Sequence, residues 1–219
     1  MNRSASPTIP ALSELDRPAL GKLLRDLKIE SYRADQILDA AWRSAAATWG
    51  EVSTLGKTMQ EALAAALRFE AFSEIVREDA EEGATSKLLL SLHDGVKIEA
   101  VLMRHGDRHA VCLSSQSGCA LKCSFCATGT MGLGRSLSTG EIYEQLLWAA
   151  RVARERNARI RNVVMMGMGE PLQNYGALVP ALKVMLDDHG YGLSRRRLTV
   201  STSGVVPMIE RLMADCPVA

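Results

Sequence analysis

The 219 residues predict an α/β protein, with a small all-α domain first and parallel βα units after it, in a doubly wound sheet or part of a barrel. Three observations carry this. Apolar residues recur at helical spacing through the first 70 positions, turn signals separate β-rich runs between 87 and 115, and strands alternate with helices from 138 onward. At 47% hydrophobic the chain can bury a sizeable core.

After a tail over residues 1–10, Leu12, Leu15, Leu20, Leu23, Leu24 and Leu27 mark a first helix with Ser13 as a candidate cap. "SYRADQILDAAW" puts Ile37, Leu38 and Trp42 on one face of a second, and "STLGKTMQEALAAAL" predicts a third capped by Ser53 or Thr54. The helical domain is assigned to residues 11–78, and the acidic stretch "EIVREDAEEGATS" reads as a linker. Residues 79–219 form the second domain. Asp94-Gly95 and His105-Gly106-Asp107 predict turns in a three-stranded meander. Beyond it come helix "STGEIYEQLLWAARVARER", with Ser138 and Glu141 in a capping-box pattern, strand "NVVMMG", helix "NYGALVPALKVMLDD", strand "LTVST" and helix "GVVPMIERLMAD". The final "CPVA" looks like the start of another strand, so the chain is expected to be a piece of a longer protein.

No uncharged apolar run approaches the roughly 20 residues that span a bilayer, and the first 20 residues lack a secretory apolar core. The expected compartment is the cytoplasm, where clustered cysteines serve as metal or redox groups. Net charge is +1, divided as −2 over residues 1–80 and +3 over the rest. The excess gathers in "RVARERNARIR" and "SRRR", two runs that alone read as solvated faces and leave nucleic-acid binding a hypothesis.

The chemistry concentrates in "SSQSGCALKCSFCATGTMG", where Cys119, Cys123 and Cys126 stand among glycines. A helix of packed core thiols is disfavoured by Gly118, Gly129, Gly132 and Gly134. Structural zinc needs a fourth ligand, for which His105 or His109 would have to fold back. The favoured reading is a [4Fe–4S] cluster with one iron left open, a site suited to S-adenosylmethionine and its one-electron cleavage. Such a site needs groups for the methionine end and the ribose at the C-terminal ends of parallel strands. "VVMMGMGEP" delivers Glu170 behind two glycines, and "LTVSTSG" delivers Ser201, Thr202 and Ser203.

"SSQSGCALKCSFCATG", "NVVMMGMGEPLQNY" and "LSRRRLTVSTSGVVP" together resemble the radical-SAM adenine-C2 RNA methyltransferases of the RlmN type, and the helical start with "YRADQI" resembles that family's accessory domain. The resemblance implies an incomplete radical-SAM (βα) partial barrel, truncated at its C-terminal end. It makes Cys119, Cys123 and Cys126 ligands of a [4Fe–4S] cluster, and Gly169, Glu170 and Ser201 contacts to S-adenosyl-L-methionine. It makes Glu99 the proton acceptor and Cys112 the thiol of a transient disulfide. The implied reaction methylates adenine C2 in 23S rRNA and in tRNA through a methyl-cysteine intermediate. Its methyl-carrying cysteine has no counterpart here, because Cys216, the one remaining thiol, follows a helix at the expected opposite face and reads as structural. The implied partners are 23S rRNA, tRNA and an electron donor such as flavodoxin, with no membrane, for a monomer. The alternatives are a Cfr-type adenine-C8 methyltransferase and a non-catalytic iron–sulfur or RNA-binding fragment.

Overall fold

A computed structural model describes residues 9–80 and 83–219, so the expected tail is outside the described residues over 1–8. The first helix, α1 (Arg17–Asp26), starts where Asp16 accepts a hydrogen bond from the Ala19 N–H at 2.8 Å, with proline in its first turn. Ser13 therefore does not cap it; the Ser13 hydroxyl donates instead to Glu144, 131 residues away. α2 (Arg33–Leu38) runs into a π-type turn over Asp39–Arg43, and Ile37 and Leu38 are buried beside Trp42 as their spacing predicts. α3 (Lys57–Ala66) begins at Gly56 with no side-chain cap, which corrects the expectation for Ser53 and Thr54. These helices enclose a core of Leu20, Leu24, Ile37, Leu63 and Leu67.

The stretch read as a linker is a strand over its described residues before Glu81. β1 (Phe72–Ala80) pairs antiparallel with β2 (Thr85–Leu92), and the boundary drawn at 78 falls inside it. Its charges suit a sheet edge, where they discourage further pairing: Lys87 of β2 reaches Glu78 at 3.0 Å, and Arg77 reaches Glu155 at 2.6 Å. The meander continues through β3 (Lys97–His105) and β4 (Arg108–Cys112), and thus has four strands where three were expected.

β4 is the pivot of the sheet. It is antiparallel to β3 and parallel to β7 (Ile160–Met165), which is in turn parallel to β8 (Leu198–Val200), giving the order β1-β2-β3-β4-β7-β8. Between β4 and β7 lies a small hairpin that sequence reasoning missed, β5 (Gln116–Gly118) with β6 (Leu133–Ser136), enclosing the short helix α4 (Ala127–Thr130). The crossover helices α5 (Thr139–Arg154) and α6 (Tyr175–Leu186), followed by α7 (Val206–Asp215), fall where the alternation placed them. The capping box is present: the Glu141 N–H donates to Ser138 Oγ at 3.2 Å, and the Ser138 N–H to Glu141 Oε2 at 2.8 Å.

One face of the sheet packs on these helices through Ile98, Ala100, Leu102, Val111, Val163 and Met165. The other face, with Glu99, Val101, Cys112 and Val164, is half-buried. At the last residues the Ala219 N–H donates to Leu198 O at 3.0 Å and the Val200 N–H to Ala219 O at 2.8 Å. This is the pattern of a parallel pairing and matches the strand expected to start at "CPVA". Among the described residues no helix is long and apolar enough to cross a membrane.

Candidate active site

Chain direction puts the ends of β4, β7 and β8 side by side, and a cavity of about 230 Å³ opens there. Its lining combines Cys119, Cys123 and Cys126 with Gly167, Gly169, Glu170 and residues 201–203. Three stretches distant in sequence therefore meet at one place.

The cysteine loop is shaped by its glycines. Gly118 has φ +77°, and a Cβ there would lie 1.8 Å from Gly132 O, so no other residue fits as the loop leaves β5. The Cys119 N–H donates to that same oxygen at 2.9 Å. The loop then turns so that the Cys126 N–H reaches Cys123 O at 3.0 Å. Cys119 is buried and Cys123 and Cys126 half-buried, while Phe125 between the last two is 92% exposed at the rim. All five cysteines are free thiols.

Glu170 is only 3% exposed, and its carboxylate is engaged by the chain itself. Oε1 accepts from the Leu172 N–H at 3.0 Å; Oε2 accepts from the Ser203 N–H at 2.9 Å and the Ser203 hydroxyl at 3.0 Å. The side chain thereby ties the loop after β7 to the loop after β8. Oε1 keeps further acceptor capacity beside the cavity. Gly169, with φ +96°, lies so close to Gln116 that a Cβ would come within 2.5 Å of the Gln116 side chain. Of the three hydroxyls after β8, Ser203 is bound to Glu170 and Thr202 Oγ1 accepts from the N–H groups of Gly204 and Val205. Of these three only the Ser201 hydroxyl has no partner among the described residues, and it lines the cavity.

Cys112, the last residue of β4, lies on the half-buried face next to this cavity, with the Met166 backbone N–H directed at its sulfur. Burial pushes its thiol pKa up, only partly countered by that N–H. Glu99 is on the same face of β3. Val101 is the partner of Cys112 in register, so Glu99 is the diagonal neighbour, roughly 7–8 Å away between Cα atoms. Its carboxylate is half-exposed and 3.6 Å from Lys87, whose pKa is raised by Glu78 first and Glu99 second.

Sequence reasoning missed the residues that hold these loops in place. Gln116 Oε1 accepts from the Glu170 N–H at 3.0 Å, and Asn174 Nδ2 donates to both Ser115 O and Leu137 O at 2.8 Å. Ser114 Oγ donates to Glu99 O at 2.6 Å and accepts from the Met168 N–H at 2.9 Å. Polar residues flanking the cysteines in "SSQSG" were the available signal.

The zinc alternative loses its fourth ligand. His105 and His109 sit where β3 and β4 pair at the far end of the sheet; His109 precedes Cys112 by three residues of strand, about 10 Å. Among the described residues no three His, Cys, Asp or Glu side chains converge as a single ion requires. A cubane cluster takes one thiolate per iron, so its cysteines ring a volume and need not meet at a point. Three thiols around one cavity fit that demand. Cys216 is 3% exposed at the end of α7, just before the residues that pair with β8 beside Leu198, and thus at the end of the sheet away from this cavity.

The Radical SAM superfamily model matches residues 113–215. The crystal structure of a radical SAM methyltransferase from Sphaerobacter thermophilus is similar in fold, with a TM-score of 0.89 and 42% sequence identity. The match covers 94% of this chain and 61% of that chain, so the sequence spans less than two thirds of that protein's length. Residues 113–215 are thus similar to the Radical SAM superfamily, and they lie in a mixed α/β fold that matches part of a radical SAM methyltransferase.

Proposed function

We propose that this chain is the cofactor-binding part of an RNA methyltransferase that modifies adenine C2 in 23S rRNA and tRNA through a methyl-cysteine intermediate. The observation that supports it most is the convergence of three thiols, a glycine-flanked carboxylate and a free Ser201 hydroxyl on one cavity beside Cys112. Cys119, Cys123 and Cys126 would hold a [4Fe–4S] cluster, and Gly169, Glu170 and Ser201 would contact S-adenosylmethionine. When bound, these groups supply carbon-radical chemistry, which adenine C2 requires because an amidine carbon between two ring nitrogens is not nucleophilic.

The chain's own residues have distinct tasks in this reading. Glu170 spaces the loops after β7 and β8 and offers its remaining acceptor capacity to the methionine ammonium. Glu99 takes the proton from C2. The Cys112 thiolate attacks the sulfur of the thioether carried by the methyl-bearing cysteine, so that the S–S bond forms as the C–S bond breaks and the released carbon, still on C2, takes up a proton to become the methyl group. Burial keeps Cys112 protonated at neutral pH, so resolution requires a base and accelerates as pH rises toward the thiol's raised pKa.

Anaerobic reconstitution tests the site. About four irons and four sulfides per chain are expected, with a spectrum that shifts on adding S-adenosylmethionine. Cys119→Ala, Cys123→Ala and Cys126→Ala should each abolish iron uptake, and Cys112→Ala should leave it intact. One equivalent of zinc with no iron would overturn the reading. In the longer protein, mass mapping of the modified base separates C2 from C8.

A further inference from the structure

At the other end of the parallel strands the two basic runs of the sequence come together. A cavity of about 330 Å³ is lined by Arg159, Arg161 and Arg197 with Ile160, Leu193 and Ser194, and contains no acidic residue. Arg195 and Arg196 are exposed beside it on the same short turn as Arg197.

How these arginines are held differs from the carboxylate-paired arginines of the fold. Arg135, Arg151 and Arg77 are each paired with carboxylates. Arg159 donates instead to Tyr191 O at 2.6 Å and lies over the Tyr191 ring, and Arg197 donates to Asn162 Oδ1 at 3.1 Å. Both anchors are neutral, so they fix the guanidinium without cancelling its charge. Among the described residues none of Arg159, Arg161, Arg195, Arg196 or Arg197 has a carboxylate within 4.0 Å. Like charges gathered on one concave surface repel one another until an anion sits between them, and guanidinium forks match phosphate oxygens.

We propose that this surface is a second contact for an RNA phosphate backbone, separate from the cofactor cavity. It rests on the reading of the chain as part of an RNA methyltransferase. β7 runs from Ile160 at this surface to Met165 at the cavity, a rise of roughly 17 Å. Only an RNA folded or long enough to pass round the sheet edge engages both. The surface selects for RNA architecture and leaves base choice to the cavity.

The test measures binding of this chain to a structured RNA hairpin and to an oligonucleotide of about five nucleotides over a salt series. Arg159→Gln/Arg161→Gln/Arg197→Gln should weaken hairpin binding about tenfold and flatten the slope of log K against log salt by roughly 2. Arg161→Glu/Arg196→Glu, which removes no side-chain hydrogen bond, should weaken it similarly and guards against a folding defect in the triple variant. The short oligonucleotide, which can contact this surface but cannot bridge it to the cavity, should lose less than the hairpin in both. Hairpin affinity and salt slope equal to wild type in both variants would overturn the surface while leaving the RNA reading standing. Failure of the wild type to bind any RNA would overturn that reading, and the surface with it.

Discussion

Two regions of this molecule are each closed by a buried carboxylate, yet they are built from opposite materials. At the junction of the helical region with α5, Glu144 is 1% exposed and accepts from the Ala71 N–H and the Ser13 hydroxyl. Beside it Arg151 bonds Glu70 at 2.7 Å, donates to Ala45 O and Ala46 O, and lies over Trp148. Long charged side chains hold that junction, and burial disfavours their charged forms more than pairing favours them: Glu70 is pushed up and Arg151 down. At the cavity, Glu170 accepts from backbone and a serine in a setting of glycines and small hydroxyls. Long side chains can join two surfaces across a gap. A cavity meant for a ligand instead needs bare backbone at its wall and few side chains able to fill it.

The comparison breaks most visibly at Gly118. Gly118→Ala must displace Gly132 O, so it should cost about 3 kcal/mol or more and abolish iron uptake. Gly95→Ala also has positive φ but meets nothing within 4 Å, and should cost only about 1 kcal/mol with iron uptake unchanged. Chemical denaturation with iron analysis separates the two. Equal effects would mean that conformational preference, not contact with Gly132, dictates Gly118.

The junction should reveal itself through pH. Burial raises the Glu144 pKa from 4.5 to about 7, so the folded state holds a proton that the unfolded state gives up. That contribution is complete below pH 4.5 and is lost as pH rises through 7, with a span of about 3 kcal/mol. Glu144→Gln keeps an acceptor for Ser13 and Ala71 and should remove this slope, leaving the variant more stable than wild type at pH 8. Parallel stability curves for the two proteins would show that Glu144 does not carry the dependence.

The smallest effect is expected at the cavity carboxylate. Glu170→Ala leaves the buried Leu172 N–H without a partner, while the exposed Ser203 can turn to water, a loss of about 2 kcal/mol. Iron content should be unchanged and S-adenosylmethionine affinity reduced. Calorimetric titration of the iron-loaded variant checks this, and unaltered affinity would confine Glu170 to joining the two loops.

Local signals were the legible ones. The Ser138 and Glu141 capping box, the helices from 139 to 215 and the turns at Asp94-Gly95 and Gly106 all follow from interactions within a few residues. The same holds for the Cys119, Cys123 and Cys126 spacing. β1 was hidden because an edge strand with Arg77, Glu78 and Asp79 has the composition of a linker until β2 pairs with it. Ser13 looked like a cap because sequence cannot show that Glu144 waits for it across the junction.

The sequence by itself determined which chemistry is carried, since thiols, hydroxyls and carboxylates at set spacings keep their reactivity wherever the chain goes. The tertiary structure alone decided what each group is free to do. Parallel strand direction brought the loops after β4, β7 and β8 to one end of the sheet and gathered Arg159, Arg161 and Arg197 at the other. Hydrogen bonds across those loops engaged Ser203 and most of Glu170 and left Ser201 open, because a polar group near the interior is bound by whichever partner the fold brings within about 3 Å.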